Sequence, residues 1–186
     1  MPYMTPAQAA AQFASLIVFI AAARWYVAPW LARQPRAPAL IALLWVHVFR
    51  YVALQVFAAQ HEGFPISRGG AIEIMIGDVG GAALAFAAIA LLRRRSPLGV
   101  ALAWILAIET AYDTYANIRG GVHEHLMGAA TGVTWMVLSF FVPAVVVSCA
   151  LLIWQLVTRR REALDPAAVS ATATAGSPAL AASQAR

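Results

Sequence analysis

The sequence predicts an all-α membrane protein, a bundle of five transmembrane helices. Three observations carry that expectation. Of 186 residues, 62% are hydrophobic and only 11% charged, against about a quarter charged in a soluble domain. Mean hydropathy is +0.73. Five apolar runs, at about 9–31, 38–60, 70–92, 97–118 and 128–157, each approach or exceed the roughly 20 residues that a helix needs to cross a hydrocarbon core of about 30 Å.

The first run, about 9–31, follows "MPYMTPAQAAAQF", which has no positive n-region. It therefore reads as a retained helix rather than a cleaved signal peptide, despite the small residues at 21–23. Arg24 lies in its inner part, where it can snorkel to headgroups, beside an aromatic belt of Trp25, Tyr26 and Trp30. The second run, about 38–60, contains "WVHVFRYVALQ" and so carries His47 and Arg50. The third, about 70–92, contains "IGDVGG", with Asp78 between glycines and Gly77 and Gly81 in a GxxxG pair. The fourth, about 97–118, carries Glu109, Asp113 and Asn117 at four-residue intervals, on one face of a helix. The fifth, about 128–157, opens on a second GxxxG pair, Gly128 and Gly132, and holds Pro143, which should kink it and free a backbone carbonyl. Both glycine pairs suit close helix packing, and a homodimer through small-residue faces is the oligomer they suggest.

"PALIALLW" (38–45) and "PLGVALAW" (97–104) open the second and fourth helices alike. The match predicts two hairpin repeats, helices 1–2 and 3–4, with helix 5 appended. After Arg161 the tail "ALDPAAVSATATAGSPALAASQAR" lacks large apolar residues in any periodic pattern. The expected division is a transmembrane domain, 1–161, and a disordered cytoplasmic tail, 162–186.

Loop charge orients the bundle. Arg33 and Arg36, Arg93 to Arg95, and Arg159 to Arg161 fall on one side, and only Arg68 and Arg119 on the other. The positive-inside rule puts the eight in the cytoplasm, with the N-terminus outside and the C-terminus inside. In this setting the sequence pI near 10.1 is a topology signal, and no nucleic-acid partner is expected. The bilayer is the expected partner. All thirteen basic residues are arginine, a bias given no functional weight. The single cysteine, Cys149, provides no disulfide framework and reads as a packing residue.

Counted at about 1.5 Å per residue from the outer helix ends, Arg50, Asp78 and Glu109 share one layer roughly 12–14 Å deep. His47 lies one turn deeper, about 60° round from Arg50. Glu73 and Gln55 are shallower. The pattern is a polar shaft entering from the outer side, its candidate binding residues His47, Arg50, Asp78, Glu109, Asp113 and Asn117. A charge at mid-bilayer costs about 2.5–3.5 kcal/mol on insertion scales, so Arg50 should face the bundle and pair with Asp78 or Glu109. A single arginine faces four carboxylates in the spans, Glu73, Asp78, Glu109 and Asp113, so some of these must be protonated, solvated or bound to a cation.

Three functions follow from these residues. The first is binding or transport of a small polar or anionic solute, with Arg50 as anchor and the acids handling protons. The second is a membrane-embedded enzyme acting on a lipid or isoprenoid, with Glu109 or Asp113 as acid and His47 as base. The third is a non-catalytic assembly factor whose charges only lock the helices. Catalytic residues are not assigned. No cofactor is expected, since "RGGVHEHLMG" offers His123 and His125 only at i and i+2, without a metal-binding helical spacing.

"HVFRYVALQ" on helix 2, "GD" followed by small residues on helix 3, the acidic stripe on helix 4 and "VP" in helix 5 together resemble small polytopic bacterial membrane proteins of uncharacterised function. The resemblance covers about residues 38–155. It implies a multi-pass protein of the bacterial inner membrane and transfers no activity.

Overall fold

A computed structural model describes residues 4–126 and 128–164. Among these the chain forms five long helices and no strand. They are α1, Pro6–Arg33; α2, Arg36–His61; α3, Arg68–Arg93; α4, Leu98–His123; and α5, Gly132–Thr158. Four of them, α1, α2, α3 and α5, are long and apolar enough to cross a membrane. The exception, α4, is the helix that carries Glu109, Asp113 and Arg119.

Local chemistry sets the helix ends. α1 starts at Pro6, earlier than the apolar run suggests, because Thr5 and Gln8 form a reciprocal capping box. α4 continues past 118 to His123, and α5 starts at Gly132 rather than 128, after Thr131 in extended conformation. At the start of α3, Ser67 caps the helix by accepting from the Gly70 N–H. The Glu124 carboxylate in turn accepts from the Ser67 N–H at 2.7 Å and the Ser67 hydroxyl at 2.6 Å. These bonds hold the Glu124 carboxyl below its usual range and place a negative charge where the α3 dipole favours one. Glu124 thus serves the helix terminus.

α2 to α5 form the bundle. α3 packs along both α2 and α4, and α5 closes the other side against α2 and α4. The half toward the arginine-rich end is a core of Leu40 and Leu44 from α2, Ala85 and Leu92 from α3, Leu106 from α4, and Leu152 and Leu156 from α5. Alanines on α3 let the helices approach closely. α1 stands at the periphery: it leans on α5 through Phe19 and Phe140, whose ring centroids lie 5.0 Å apart, and Pro6–Ala22 buries no residue. The paired-repeat expectation therefore fails for packing. Only the end of α1 reaches the core, through Leu31 and Val27, while Phe13, Ile17, Val18 and Ile20 stay exposed.

Three helices depart from α geometry, each where the sequence requires it. A π-helical turn, Ala23–Val27, precedes Pro29, and another, Val137–Phe141, precedes Pro143. A proline lacks the N–H for the i−4 carbonyl and its ring crowds that turn, which a wider turn relieves. In α2, Phe49–Leu54 is 3₁₀. His47, Arg50, Ala53 and Val56 are all buried, a three-residue spacing that three residues per turn keeps on one line.

The arginine-rich end is tied together. Arg159 donates to the carbonyls of Leu31 at 3.3 Å and Gln34 at 2.9 Å, satisfying orphan groups at the end of α1. Arg36 donates to the carbonyls of Arg160 and Glu162, and Arg95 to that of Leu164. Glu162 to Leu164 therefore belong with the bundle rather than with a disordered tail. The rest of the expected tail, 165–186, lies outside the described residues.

Candidate functional site

Arg50 projects from the 3₁₀ stretch of α2 into the space between α3 and α4 and is 1% exposed. Its Nε donates to Asp78 Oδ1 at 2.8 Å. Nη1 donates to Glu109 Oε2 at 2.7 Å and to the Thr110 hydroxyl at 2.9 Å. Nη2 donates to Asp113 Oδ2 at 2.7 Å and Glu109 Oε1 at 3.3 Å. A guanidinium has five N–H groups, and all five are engaged. Three carboxylates surround one cation, so the sequence expectation of pairing with Asp78 or Glu109 is met by both, with Asp113 added.

Room for this cluster comes from glycine. A β-carbon at Gly81 would lie 2.7 Å from Arg50 Cζ and 2.9 Å from Glu109 Oε2, and one at Gly77 would overlap the Asp113 carboxylate. The GxxxG pair on α3 thus cradles charged side chains. Asn117 joins the site by donating to Asp113 Oδ2 at 3.1 Å. His47 is fully buried, one turn inward on the same line of α2, and makes no hydrogen bond through either ring nitrogen. Gln55 lies apart, accepting from Thr134 and so joining α2 to α5. Thr110 is the residue that sequence reasoning missed. Threonine in a helix commonly bonds its own backbone, so its position beside Glu109 was the only signal.

Two negative charges remain unbalanced when one guanidinium meets three ionised carboxylates. The open acceptors are on the acids: Asp78 pairs through Oδ1 and Asp113 through Oδ2. Asp113, but not Asp78, lines a groove of about 400 Å³ whose lining also includes Glu73, Gly77, Gly80, Glu109 and Tyr112. It runs along the seam between α3 and α4, in the side of the bundle, bordered by Ile76 at 63% and Tyr112 at 72% exposure. The mouth is thus lateral, where depth counting suggested a shaft from the outer end. The reason is that Glu73, Gly77, Gly80 and Leu84 follow one outward-turned stripe of α3.

With these five bonds made, Arg50 presents no free N–H to a further partner. His47 does not line the groove and touches no carboxylate, so it is not placed as a base for a substrate there. Among the described residues no group of three or more His, Cys, Asp or Glu side chains could hold a metal ion. No curated protein and no solved structure matches the chain. A family model matches residues 7–157, the stretch that holds the whole helical bundle and its site, and by that match the chain belongs to the family described as Domain of unknown function (DUF8737).

Proposed function

We propose that the chain is a multi-pass protein of a bacterial inner membrane that binds a small cationic, partly apolar solute in the groove between α3 and α4. The observation that carries this reading is the saturated guanidinium. With every Arg50 donor used inside the protein, the ligand must complement carboxylate oxygens, and a positive charge does so. The lateral position of the groove, between exposed Ile76 and Tyr112, adds an apolar requirement, since the solute would arrive through hydrocarbon. Solute binding was the first of the sequence-based readings, here with the sign of the charge reversed.

The apolar surface of α1, α2, α3 and α5 supports membrane insertion, and α4 is the span whose charges face the cluster and groove. The arginines that gather Leu31, Gln34 and 160–164 at one end of the bundle support a cytoplasmic C-terminus and an outer N-terminus. Single cysteines in a Cys149→Ser background are expected to react with an impermeant maleimide in intact cells when placed at 61–69 or 119–125, and not when placed at 94–96. Labelling of the 94–96 position alone would reverse the orientation.

Tetraphenylphosphonium and tetraphenylborate test the ligand reading, because they share size and shape and differ in charge. Protein in phosphatidylcholine nanodiscs is expected to bind the cation and not the anion. Glu73→Gln and Asp113→Asn are expected to raise the Kd for the cation about tenfold or more, a loss of about 1.4 kcal/mol. Glu73 makes no ion pair with Arg50, so that variant leaves the cluster intact. Equal binding of both ions, or none of the cation, would sink the proposal. The same saturation of Arg50 favours a second reading, an assembly factor in which the cluster only sets helix register, and wild-type protein that binds neither ion would leave that one standing.

A further inference from the structure

A second groove, of about 460 Å³, separates the last turns of α1 from α2. Leu31 and Leu43 form its buried floor, with exposed Tyr26 and Trp30 on the α1 side and Ala42 and Val46 on the α2 side. Apart from the Tyr26 hydroxyl and the Trp30 indole N–H, these side chains are apolar. From Arg36, where α2 begins, to Val46 the helix rises about 15 Å, half of a hydrocarbon core of about 30 Å. The groove therefore has the reach of an acyl chain in one leaflet. Charge stands at one end of it. Tyr26, Trp30 and Arg33 follow at i, i+4 and i+7, so a stripe that lines the groove ends on Arg33. Arg36 lies just beyond, and neither arginine forms an ion pair among the described residues. Glu162, the single acid at this end among the described residues, pairs with Arg159 instead.

We propose that the groove between α1 and α2 holds one acyl chain of an anionic diacyl phospholipid, with Arg33 meeting the headgroup phosphate and Arg36 adding to the positive field there. An apolar slot half a membrane long, ending on unpaired arginines, matches the two parts of such a lipid. Tyr26 and Trp30 suit the level where those parts meet, since each ring carries an apolar body and a polar tip. A zwitterionic lipid would fill the slot as well, but its own cation would offset the attraction to Arg33. The lipid would also join the end of α1 to α2, where the rest of the helix, over Pro6–Ala22, buries no residue. The proposal rests on the reading of the chain as membrane-spanning and is independent of what binds between α3 and α4.

The chain has six tryptophans, and replacing the others by phenylalanine leaves Trp30 as the single fluorophore of the full-length protein. A second protein keeps only Trp104, exposed on α4, as the reference. In phosphatidylcholine vesicles, a small fraction of the lipid carries dibrominated acyl chains, which quench a tryptophan they touch. Trp30 is expected to be quenched more by brominated phosphatidylglycerol than by brominated phosphatidylcholine, with relative binding about fivefold or more in favour of the anionic lipid. Trp104 should be quenched equally by both. Arg33→Gln should bring the preference at Trp30 down toward one. Ala42→Phe, which fills the slot and leaves the charge unchanged, should do the same. Equal quenching of Trp30 by the two lipids would overturn the proposal. So would a preference that survives Ala42→Phe or appears equally at Trp104, since either would mean a general attraction to the arginine-rich end. In those cases the tryptophans still report lipid contact, and the membrane reading stands. Quenching of neither tryptophan by either lipid would remove the membrane reading and this proposal with it.

Discussion

Arg50→Ala is expected to destabilise the protein by about 3–5 kcal/mol, the range for removing one partner of a buried ion pair. The loss would appear in the unfolding midpoint in mixed micelles of mild detergent and dodecyl sulfate. It comes less from the lost attraction than from what remains: Asp78, Glu109 and Asp113 would face one another at the centre of the bundle with the guanidinium gone. Protonation can relieve part of that repulsion, so the defect should shrink as the pH falls toward the carboxylate range. Glu109→Gln in the Arg50→Ala background should restore about 1 kcal/mol or more, because it removes a stranded charge. The same substitution in the wild-type background should destabilise, and the opposite signs would establish coupling between the two positions. A cost below about 1 kcal/mol for Arg50→Ala would mean that the cluster is hydrated in the folded protein and locks nothing.

The layer that holds Arg50 was legible because depth in a helix is a linear count. Counted from the ends that the apolar runs suggest, Arg50, Asp78 and Glu109 share one layer, and a buried arginine has to find a carboxylate; α4 in fact runs on to His123, so the count found the layer without finding the helix end. Asp113 and Asn117 were legible for a related reason, since four-residue spacing puts them above Glu109. Three features could not be read the same way. Periodicity does not say which apolar helix stands at the periphery, and α1 is itself long and apolar enough to cross a membrane. The groove needs the rotation of α3 about its axis, which spacing within one helix does not supply. The line of His47, Arg50, Ala53 and Val56 depends on the 3₁₀ stretch at Phe49–Leu54; on an ideal α-helix each third residue falls about 60° short of a full turn. The GxxxG pair was visible, but its partner was not: small residues that normally admit a neighbouring backbone here admit a guanidinium and a carboxylate.

Gly80 and Gly81 are adjacent, and alanine at the two positions should have opposite effects. At Gly80 a β-carbon would meet nothing within 4 Å, so Gly80→Ala should be neutral or stabilise by up to about 1 kcal/mol through helix propensity. At Gly81 the β-carbon would press on the Arg50 guanidinium and on Glu109 Oε2. An arginine head is usually free to swing aside, which would make the change cheap. Arg50 is not free, because each of its five N–H groups is bonded to α3 or α4, and any movement that clears the methyl group breaks some of those bonds. Gly81→Ala should therefore cost about 1–3 kcal/mol, as overpacking does in well-filled interiors. It should cost much less in the Arg50→Ala background, where the obstructing group is gone. Equal destabilisation by Gly81→Ala with and without Arg50 would show that Gly81 is needed for helix contact alone, and that α3 is not built around the guanidinium.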